Sequence, residues 1–276
     1  MWYTAFIMNW SEAIILGLVQ GVTEFLPVSS SGHLVLARAV LQTEVVYGLA
    51  FDAILHFATA LAVIVYFWED IYILIQTLLR KLGRLPVNRD DEILLYTLMI
   101  ATLPGAVLGF FLESHISSFF HSPVLVASAL IVLALFFMVV EYYQYSRPTV
   151  KKITSKSALI IGLSQVLALL PGVSRSGITI GTGMLLGLSR YTATRFSFLM
   201  AVPITLGVGT KLTLDTISAN EIIAWGPVIL ASTVSFTSAL LVIHYFLRFV
   251  RKYTLWPFIW YILILAMFIM LAHFFT

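Results

Sequence analysis

The chain contains no cysteine, and only 11% of its 276 residues are charged. The first absence excludes disulfides and thiolate chemistry. A soluble domain of this size carries about 25% charged residues, so the second absence excludes an ordinary soluble protein. Apolar residues take the place of the charges, since 60% of the chain is hydrophobic and the mean hydropathy is +0.99. The composition predicts a protein embedded in a lipid bilayer, and we expect no nucleic-acid partner.

Long apolar runs predict six membrane-spanning helices. A bilayer is crossed by roughly 20 apolar residues, and six segments approach that length despite a few polar interruptions. No run begins with basic residues and ends at a small-residue cleavage site, so we expect no removable signal peptide. The predicted spans are 51–79, 93–112, 123–145, 194–214, 222–247 and 255–275.

Charge in the connections predicts the orientation of these spans. Lysine and arginine cluster at 80–89, 147–156 and 248–252, whereas 113–122 and 215–221 contain acidic residues and neither lysine nor arginine. The positive-inside rule therefore predicts that the three basic connections are cytoplasmic and the two acidic ones are external.

This orientation leaves two segments that cannot cross the bilayer. Segment 11–50 must enter and return from outside, and segment 157–190 must do so from the cytoplasm. The predicted fold is therefore an all-α integral membrane protein with six spanning helices and two opposed re-entrant helical hairpins. We expect a single membrane domain over residues 1–276, with inverted-topology repeat halves near 10–145 and 156–276.

The two hairpins share a sequence pattern at a gapless offset of 145 residues. Each has a serine-rich turn inside an apolar run. Where the copies differ, one carries Glu24, Ser30 and His33 while the other carries Arg175, which predicts a composite polar site. The identical aligned pairs include Ala13 and Ala158, Gly17 and Gly162, Gln20 and Gln165, Val28 and Val173, Ser29 and Ser174, Ser31 and Ser176, and Gly32 and Gly177.

Both turns contain helix breakers, among them Pro27 and Pro171. Broken helices at membrane depth are stable only when buried in protein or lining a wet cavity, because lipid satisfies no backbone polar group. The neighbouring serines are expected to bond freed backbone groups and cap the returning helices. The N-termini of those helices would favour an anion, above all a phosphate.

Glu24 lies in an otherwise apolar stretch, with Gln20 one helical turn earlier on the same face. A carboxylate at membrane depth is costly unless it is paired or hydrated, so it is a functional candidate. The alternative is a structural carboxylate that neutralises Arg175. The planar fork of Arg175 suits a phosphate, but it could also hold the hairpins together through Glu24. The two roles of the arginine are compatible.

His33 follows a glycine beside three serines. It could deprotonate a hydroxyl, attack phosphorus itself, or serve as a structural hydrogen-bonding residue. Ser30, which aligns with Arg175, is the preferred nucleophile or phosphate ligand. The remaining candidates are divided between capping and substrate binding: Ser29, Ser31, Ser174, Ser176 and Thr179.

Asp52 and His56 are four residues apart at the start of a predicted span. This spacing could ligate a metal or support the site. Because Asp52 lies near the predicted external interface, a solvated or capping role is equally open.

The run from Gln20 to His33 resembles the glutamate-rich motif of bacterial undecaprenyl-diphosphatases, the bacitracin-resistance protein family. The run from Pro171 to Thr179 resembles the second motif of that family. The flanks 51–68 and 187–203 agree as well, so the resemblance covers essentially the whole chain.

The resemblance implies hydrolysis of undecaprenyl diphosphate to the monophosphate carrier lipid and inorganic phosphate. It implies a divalent cation, Mg²⁺ or Ca²⁺, held by Glu24 and Gln20, and a multi-pass protein of the bacterial cytoplasmic (inner) membrane with its active site open to the external side. The family roles map onto these two residues and onto Ser30, His33 and Arg175. The family has Glu or Gln at the first acidic position, and Gln20 cannot act as a base. We therefore expect it to orient the substrate or the cation.

Two rival functions follow from the same features. Inverted repeats with broken helices are typical of secondary transporters, so a lipid-phosphate flippase is the alternative. A membrane acid phosphatase would need a histidine and an aspartate downstream of Ser189-Arg190, and 191–198 contain neither. The sequence leaves the attacking group open among Ser30, His33 and a water activated by Glu24, and it leaves a homodimer open.

Overall fold

The structure is a computed structural model that describes residues 8–43, 48–116, 123–146, 152–170, 172–218 and 224–275. The predicted breaker Pro171 and parts of the two predicted external connections, 117–122 and 219–221, lie outside these ranges. The helices are α1 (Trp10–Thr23), α2 (Ser30–Leu41), α3 (Gly48–Tyr66), α4 (Trp68–Leu82), α5 (Arg89–Ile116), α6 (Pro123–Ser146), α7 (Ser155–Gln165), α8 (Arg175–Leu185), α9 (Arg190–Ser218), α10 (Trp225–Val250) and α11 (Trp256–Phe275), with a 3₁₀ turn at Val166–Leu169 between α7 and α8.

Five of the described helices, α5, α6, α9, α10 and α11, are long and apolar enough to cross a bilayer. Helices α3 and α4 pass that test together, but the chain bends by 85° between them. The predicted span 51–79 is therefore not one continuous helix. Glu69 and Asp70 open α4, and Asp70 pairs with Arg195 of α9, so a tertiary ion pair holds this polar turn at the bend. The chain is an all-helical, multi-pass membrane protein.

Helices α1 and α7, which open the two sequence repeats, begin with equivalent caps. The N–H of Asn9 donates to Oε2 of Glu12 at 3.1 Å, and the N–H of Thr154 donates to Oγ of Ser157 at 2.9 Å. Both are capping boxes, which satisfy N–H groups that a helix start leaves free. At 1.5 Å per residue the two helices are about 21 and 17 Å long, short of the ~30 Å hydrocarbon core.

Helices α2 and α8, which follow the serine-rich turns, are capped by aligned serines. Ser29 Oγ accepts the N–H of Gly32 at 3.4 Å, and Ser174 Oγ accepts the N–H of Gly177 at 3.1 Å. The prediction that serines of both turns cap the returning helices is confirmed for this pair.

Aligned glycines allow α1 and α7 to approach their neighbours closely. A Cβ on Gly17 of α1 would lie 2.3 Å from the carbonyl oxygen of Ala231 in α10, and one on Gly162 of α7 would lie 2.3 Å from that of Ala101 in α5. Each short helix thus packs against a long helix from the other half of the chain. The long helices α3 and α9 pack on each other, as do α6 and α11, and this frame brings the two serine-rich turns together.

Candidate active site

The carboxylate of Glu24 lies between the two serine-rich turns. Glu24 follows α1 directly, and its side chain is only 4% exposed. Arg175, the first residue of α8, pairs through Nη2 with Oε1 of this carboxylate. A buried carboxylate needs such a partner, because desolvation penalises an isolated charge. The structure therefore brings together the acid of one hairpin and the arginine of the other.

The second oxygen of the carboxylate, Oε2, accepts two further hydrogen bonds. Ser30 Oγ donates to it at 2.7 Å, and Gln20 Nε2 donates at 3.0 Å. Gln20 precedes Glu24 by one turn of α1, and Ser30 opens α2 just after the tight turn. The Ser30 proton thus points at a carboxylate that can receive it, which is the geometry that general-base catalysis requires.

His56 of α3 completes the set of groups around Glu24. Its Nδ1 lies 3.1 Å from Glu24 Oε2 and 2.9 Å from Gln20 Nε2. The sequence paired His56 with Asp52 as metal ligands or as support for the site, with a solvated or capping role for Asp52 as the alternative. The structure places the His56 imidazole against Glu24 and pairs Asp52 with Arg38. The signal was an ionisable residue inside an apolar run, the same signal that identified Glu24.

The cluster lies at the wall of a cavity of about 650 Å³. Arg38, Asp52 and His56 line it beside Glu24, while α9 contributes aliphatic side chains such as Val208. Polar groups in one part of a mostly apolar cavity suit an amphiphile with a charged head and a hydrocarbon tail. The predicted site residues that line it are Glu24, Ser30, Ser31, Ser174 and Arg175.

The other predicted site residues lie behind this lining. Gln20 and Ser29 are buried, and Ser29 caps α2. Ser176 Oγ donates to the carbonyl of Leu26 at 3.1 Å, which links the two turns. Thr179 Oγ1 donates to the carbonyl of Arg175 at 2.8 Å within α8. The substrate-binding roles of these four residues stay predictions, and the contacts seen here support the site from behind.

The His33 imidazole is also outside the cavity lining. Its Nδ1 lies 2.7 Å from the carbonyl oxygen of Ser29 and its Nε2 lies 2.7 Å from the hydroxyl of Tyr261 in α11. The structure thus does not bring His33 to Glu24 and Ser30, although the sequence placed them close together. Its contact with Ser29 acts on the turn that presents Ser30. A direct catalytic role for His33 stays a prediction.

A cation would find few protein ligands at this site. Over the described ranges, no cluster of three or more His, Asp or Glu side chains is arranged to hold a metal. Gln20 Oε1, however, is buried without a hydrogen-bond partner beside Glu24. One amide oxygen and one carboxylate fit a hard cation that takes its remaining ligands from substrate phosphates and water.

Comparison with known proteins relates the chain to bacterial enzymes over nearly its whole length. It is 38% identical over 259 residues to an undecaprenyl-diphosphatase of Alteromonas mediterranea, covering 94% of this chain and 97% of the relative. It is 39% identical over 266 residues to one of Paenarthrobacter aurescens, covering 94% and 95%. It is 40% identical over 263 residues to undecaprenyl-diphosphatase 1 of Shouchella clausii, again covering 94% and 95%.

The family comparison covers both hairpins and the cavity between them. Residues 13–268 match the family described as bacitracin resistance protein BacA. The matched region contains Glu24, Ser30 and Arg175, which meet in the structure. The chain belongs to the bacitracin resistance protein BacA family.

Proposed function

We propose that this chain hydrolyses undecaprenyl diphosphate to undecaprenyl phosphate and inorganic phosphate. The reaction recycles the carrier lipid of cell-wall synthesis and confers resistance to bacitracin. The names of the relatives support the substrate, and one observation supports the chemistry. Glu24 accepts the Ser30 hydroxyl and pairs with Arg175 at the wall of a partly aliphatic cavity. These three residues bring a proton acceptor, a nucleophile and a positive charge to one place, and phosphoryl transfer uses all three.

In the proposed reaction, Ser30 Oγ attacks the terminal phosphorus and its proton passes to Glu24. The bond from that phosphorus to the bridging oxygen breaks, and the electron pair leaves with undecaprenyl phosphate. Water then attacks the phosphoserine, the bond from phosphorus to Ser30 Oγ breaks, and Glu24 returns its proton to that oxygen. Inorganic phosphate leaves with the two protons of the water. Direct attack by a water that Glu24 activates would give the same products. The 2.7 Å bond between Ser30 and Glu24 favours the serine.

Arg175 supplies positive charge where the transferring phosphoryl group must bind. It opens α8, whose Ser174 cap satisfies the N–H of Gly177, so other N–H groups of the first turn are available to phosphate oxygens. The guanidinium pairs with Glu24 when no substrate is bound. Its transfer to the phosphate would leave the carboxylate free to accept the Ser30 proton. The backbone N–H groups at the start of α8 are fixed donors, so they can stabilise the phosphoryl charge without reorganisation.

A divalent cation, Mg²⁺ or Ca²⁺, belongs to the proposal. Gln20 Oε1 and the Glu24 carboxylate would hold it, and it would neutralise charge on the diphosphate when bound. Gln20 also serves substrate orientation, because its Nε2 donates to the Glu24 carboxylate that receives the Ser30 proton.

We further propose that α1 with α2, and α7 with α8, form re-entrant hairpins that enter the bilayer from opposite faces. Their short lengths, equivalent caps and exchanged packing partners support an inverted repeat with halves near 10–145 and 156–276. The basic connections, which the positive-inside rule assigns to the cytoplasm, and the family resemblance support a cavity open to the external side of the cytoplasmic membrane.

The test is phosphate release from a prenyl diphosphate by the purified protein in detergent, with and without a chelator. We expect hydrolysis that falls on chelation and returns with Mg²⁺ or Ca²⁺. Detergent has no sides between which a lipid can be moved, so release separates an enzyme from a flippase. Absence of release by a folded, cation-supplied protein would refute the phosphatase proposal, and turnover unchanged by chelation would refute the cation requirement.

A further inference from the structure

The cavity contains a second arginine–carboxylate pair besides Glu24 and Arg175. Arg38 of α2 donates from Nη1 to Oδ2 of Asp52 in α3 at 2.9 Å, and its Nη2 pairs with Oδ1. The side chains are 16% and 24% exposed, and both line the cavity. The two-pronged contact is the one that a guanidinium also makes with phosphate.

This second pair lies close to the first along the cavity wall. Asp52 precedes His56 by four residues of α3, a rise of about 6 Å, and the His56 ring contacts Glu24. A diphosphate group is long enough to reach from one guanidinium towards the other. One phosphate at Arg175 would therefore leave the other near Arg38.

A diphosphate that enters the cavity must replace a carboxylate as the partner of one of the lining arginines. Among the described lining residues the guanidinium groups of Arg38 and Arg175 are each matched by a carboxylate. A diphosphate adds further negative charge, which must take over at least one guanidinium to be stable in a poorly hydrated cavity. Arg38 Nε is buried without a hydrogen-bond partner, so this guanidinium has an unused donor for an incoming oxygen.

Other described arginine–carboxylate pairs have a different setting. Arg195 and Asp70 join α9 to the bend before α4, away from the cavity lining. Glu141 pairs with Arg190 and also accepts the N–H of Leu255 at 2.7 Å, which ties three segments of backbone together. The Arg38–Asp52 pair is placed where a ligand can replace one partner.

We propose that Arg38 binds the phosphate that stays on the prenyl chain, and that Asp52 is the counter-ion this phosphate displaces. The assignment rests on the proposed function, since Ser30 and Arg175 take the transferring phosphate there. Arg38 would thereby hold the leaving group in line and retain the monophosphate product until Asp52 returns.

The test measures binding, so it does not depend on turnover. Farnesyl monophosphate and inorganic phosphate are titrated separately into the purified protein in detergent by calorimetry. Arg38→Gln should weaken farnesyl monophosphate binding by about 10- to 100-fold, the size of a charge-assisted hydrogen-bond loss. Inorganic phosphate, which the Arg175 side accepts, should bind as before. Arg38→Lys should be intermediate, because it keeps the charge and loses the fork.

Asp52→Asn separates a ligand site from a structural clamp. Asp52→Asn frees Arg38, so farnesyl monophosphate should bind equally or more tightly. If the pair were a structural clamp, Arg38→Gln and Asp52→Asn would both weaken the binding of farnesyl monophosphate. Arg195→Gln is the matched control, because it breaks an arginine–carboxylate pair outside the lining and should leave binding unchanged in the same detergent. Thermal unfolding shows whether each variant is folded. If Arg38→Gln does not fold, Asp52→Asn and Arg38→Lys provide the test.

Three outcomes would overturn the assignment. These are equal farnesyl monophosphate affinity in Arg38→Gln and the unaltered protein, a parallel loss in Asp52→Asn, and a loss of inorganic phosphate affinity as large as that of the lipid. If the unaltered protein does not hydrolyse a prenyl diphosphate but the variants change farnesyl monophosphate binding as expected, the phosphatase proposal is refuted and the Arg38 site remains. Normal hydrolysis with unchanged Arg38→Gln binding would refute only the Arg38 site.

Discussion

The two serine-rich hairpins share a frame and differ in what the frame presents. Helices α1 and α7 both start with a capping box, and the aligned serines Ser29 and Ser174 cap the helices that follow. At the next aligned position the first hairpin has Ser30 and the second has Arg175. The capping position is alike in both copies, whereas the next position, which lines the cavity in both, has diverged into a hydroxyl and a guanidinium.

Burial separates the hairpins further. Helix α8 is buried along most of its length, from Ser176 to Met184, while α2 buries only Gly32 and Leu34. Ser29 also has a φ of 70°, in the left-handed region, where Ser174 has −73°. A strained residue persists only when its surroundings hold it, and such residues cluster at functional sites. The second hairpin is thus the more buried of the two and supports the site by its packing. The proposed proton transfer takes place in the first hairpin.

The strongest way to break the comparison is to remove the contact between the hairpins. Glu24→Gln and Arg175→Ala should each lower phosphate release by about 10³-fold, since one removes the proton acceptor and the other the charge on the phosphoryl group. The double variant should be no worse than the poorer single variant, because the residues act as one unit. Losses that multiply would mean that the two side chains act independently.

The next effect concerns the hydroxyl that only the first hairpin carries at this position. Ser30→Ala should lower kcat by about 10²-fold or more, because it removes the hydroxyl that is proposed to attack phosphorus. Ser164→Ala in α7 is the matched control; its hydroxyl bonds the Ile161 carbonyl of its own helix. Normal turnover in Ser30→Ala would show that water, and not Ser30, attacks phosphorus.

A smaller effect is expected where His33 supports the strained turn. His33→Ala removes the contact of Nδ1 with the buried Ser29 carbonyl and should lower kcat by about 10- to 100-fold with little change in KM. Tyr261→Phe leaves that contact in place and should have a lesser effect. Steady-state kinetics of both variants check this. A His33→Ala loss as complete as that of Glu24→Gln would instead place the imidazole in the chemical step.

The smallest effect on hydrolysis should come from the features the hairpins share. Gly17→Ala and Gly162→Ala each place a Cβ 2.3 Å from a neighbouring backbone oxygen and should destabilise the fold by about 1–3 kcal/mol. Gly207→Ala is the control, because a Cβ there meets no atom within 4 Å. Thermal unfolding in detergent should show similar losses for the two aligned variants. A loss in only one of them would argue against an equivalent frame.

Local sequence patterns identified several features that the structure contains. Apolar length located the long helices, and a carboxylate and an arginine inside apolar turns marked Glu24 and Arg175. The spacing of Gln20 and Glu24 predicted that the two side chains lie on the same side at the end of α1, where they form a hydrogen bond. These are properties of a single helix or turn, so neighbouring residues suffice to predict them.

Contacts between elements were harder to predict. A bend at Phe67 interrupts the expected span 51–79, and the ion pair of Asp70 with Arg195 joins it to a distant helix. His56 turned towards Glu24, whereas His33 turned towards Tyr261. Which face a helix shows to a cavity depends on its rotation and its partners, and sequence spacing within the helix does not report either.

The sequence by itself determined that this protein lies in a lipid bilayer, and it determined the local structure of the serine-rich turns. With 11% charged residues and long apolar runs, the chain belongs in a bilayer, and serines after the breaks must satisfy freed backbone groups. Only the tertiary structure decided that His56 lies beside Glu24 at the cavity wall and that His33 does not, because the rotation and packing of each helix set which side chains face the cavity. Burial then requires the charges to pair, and the pairing joins Glu24 to Arg175.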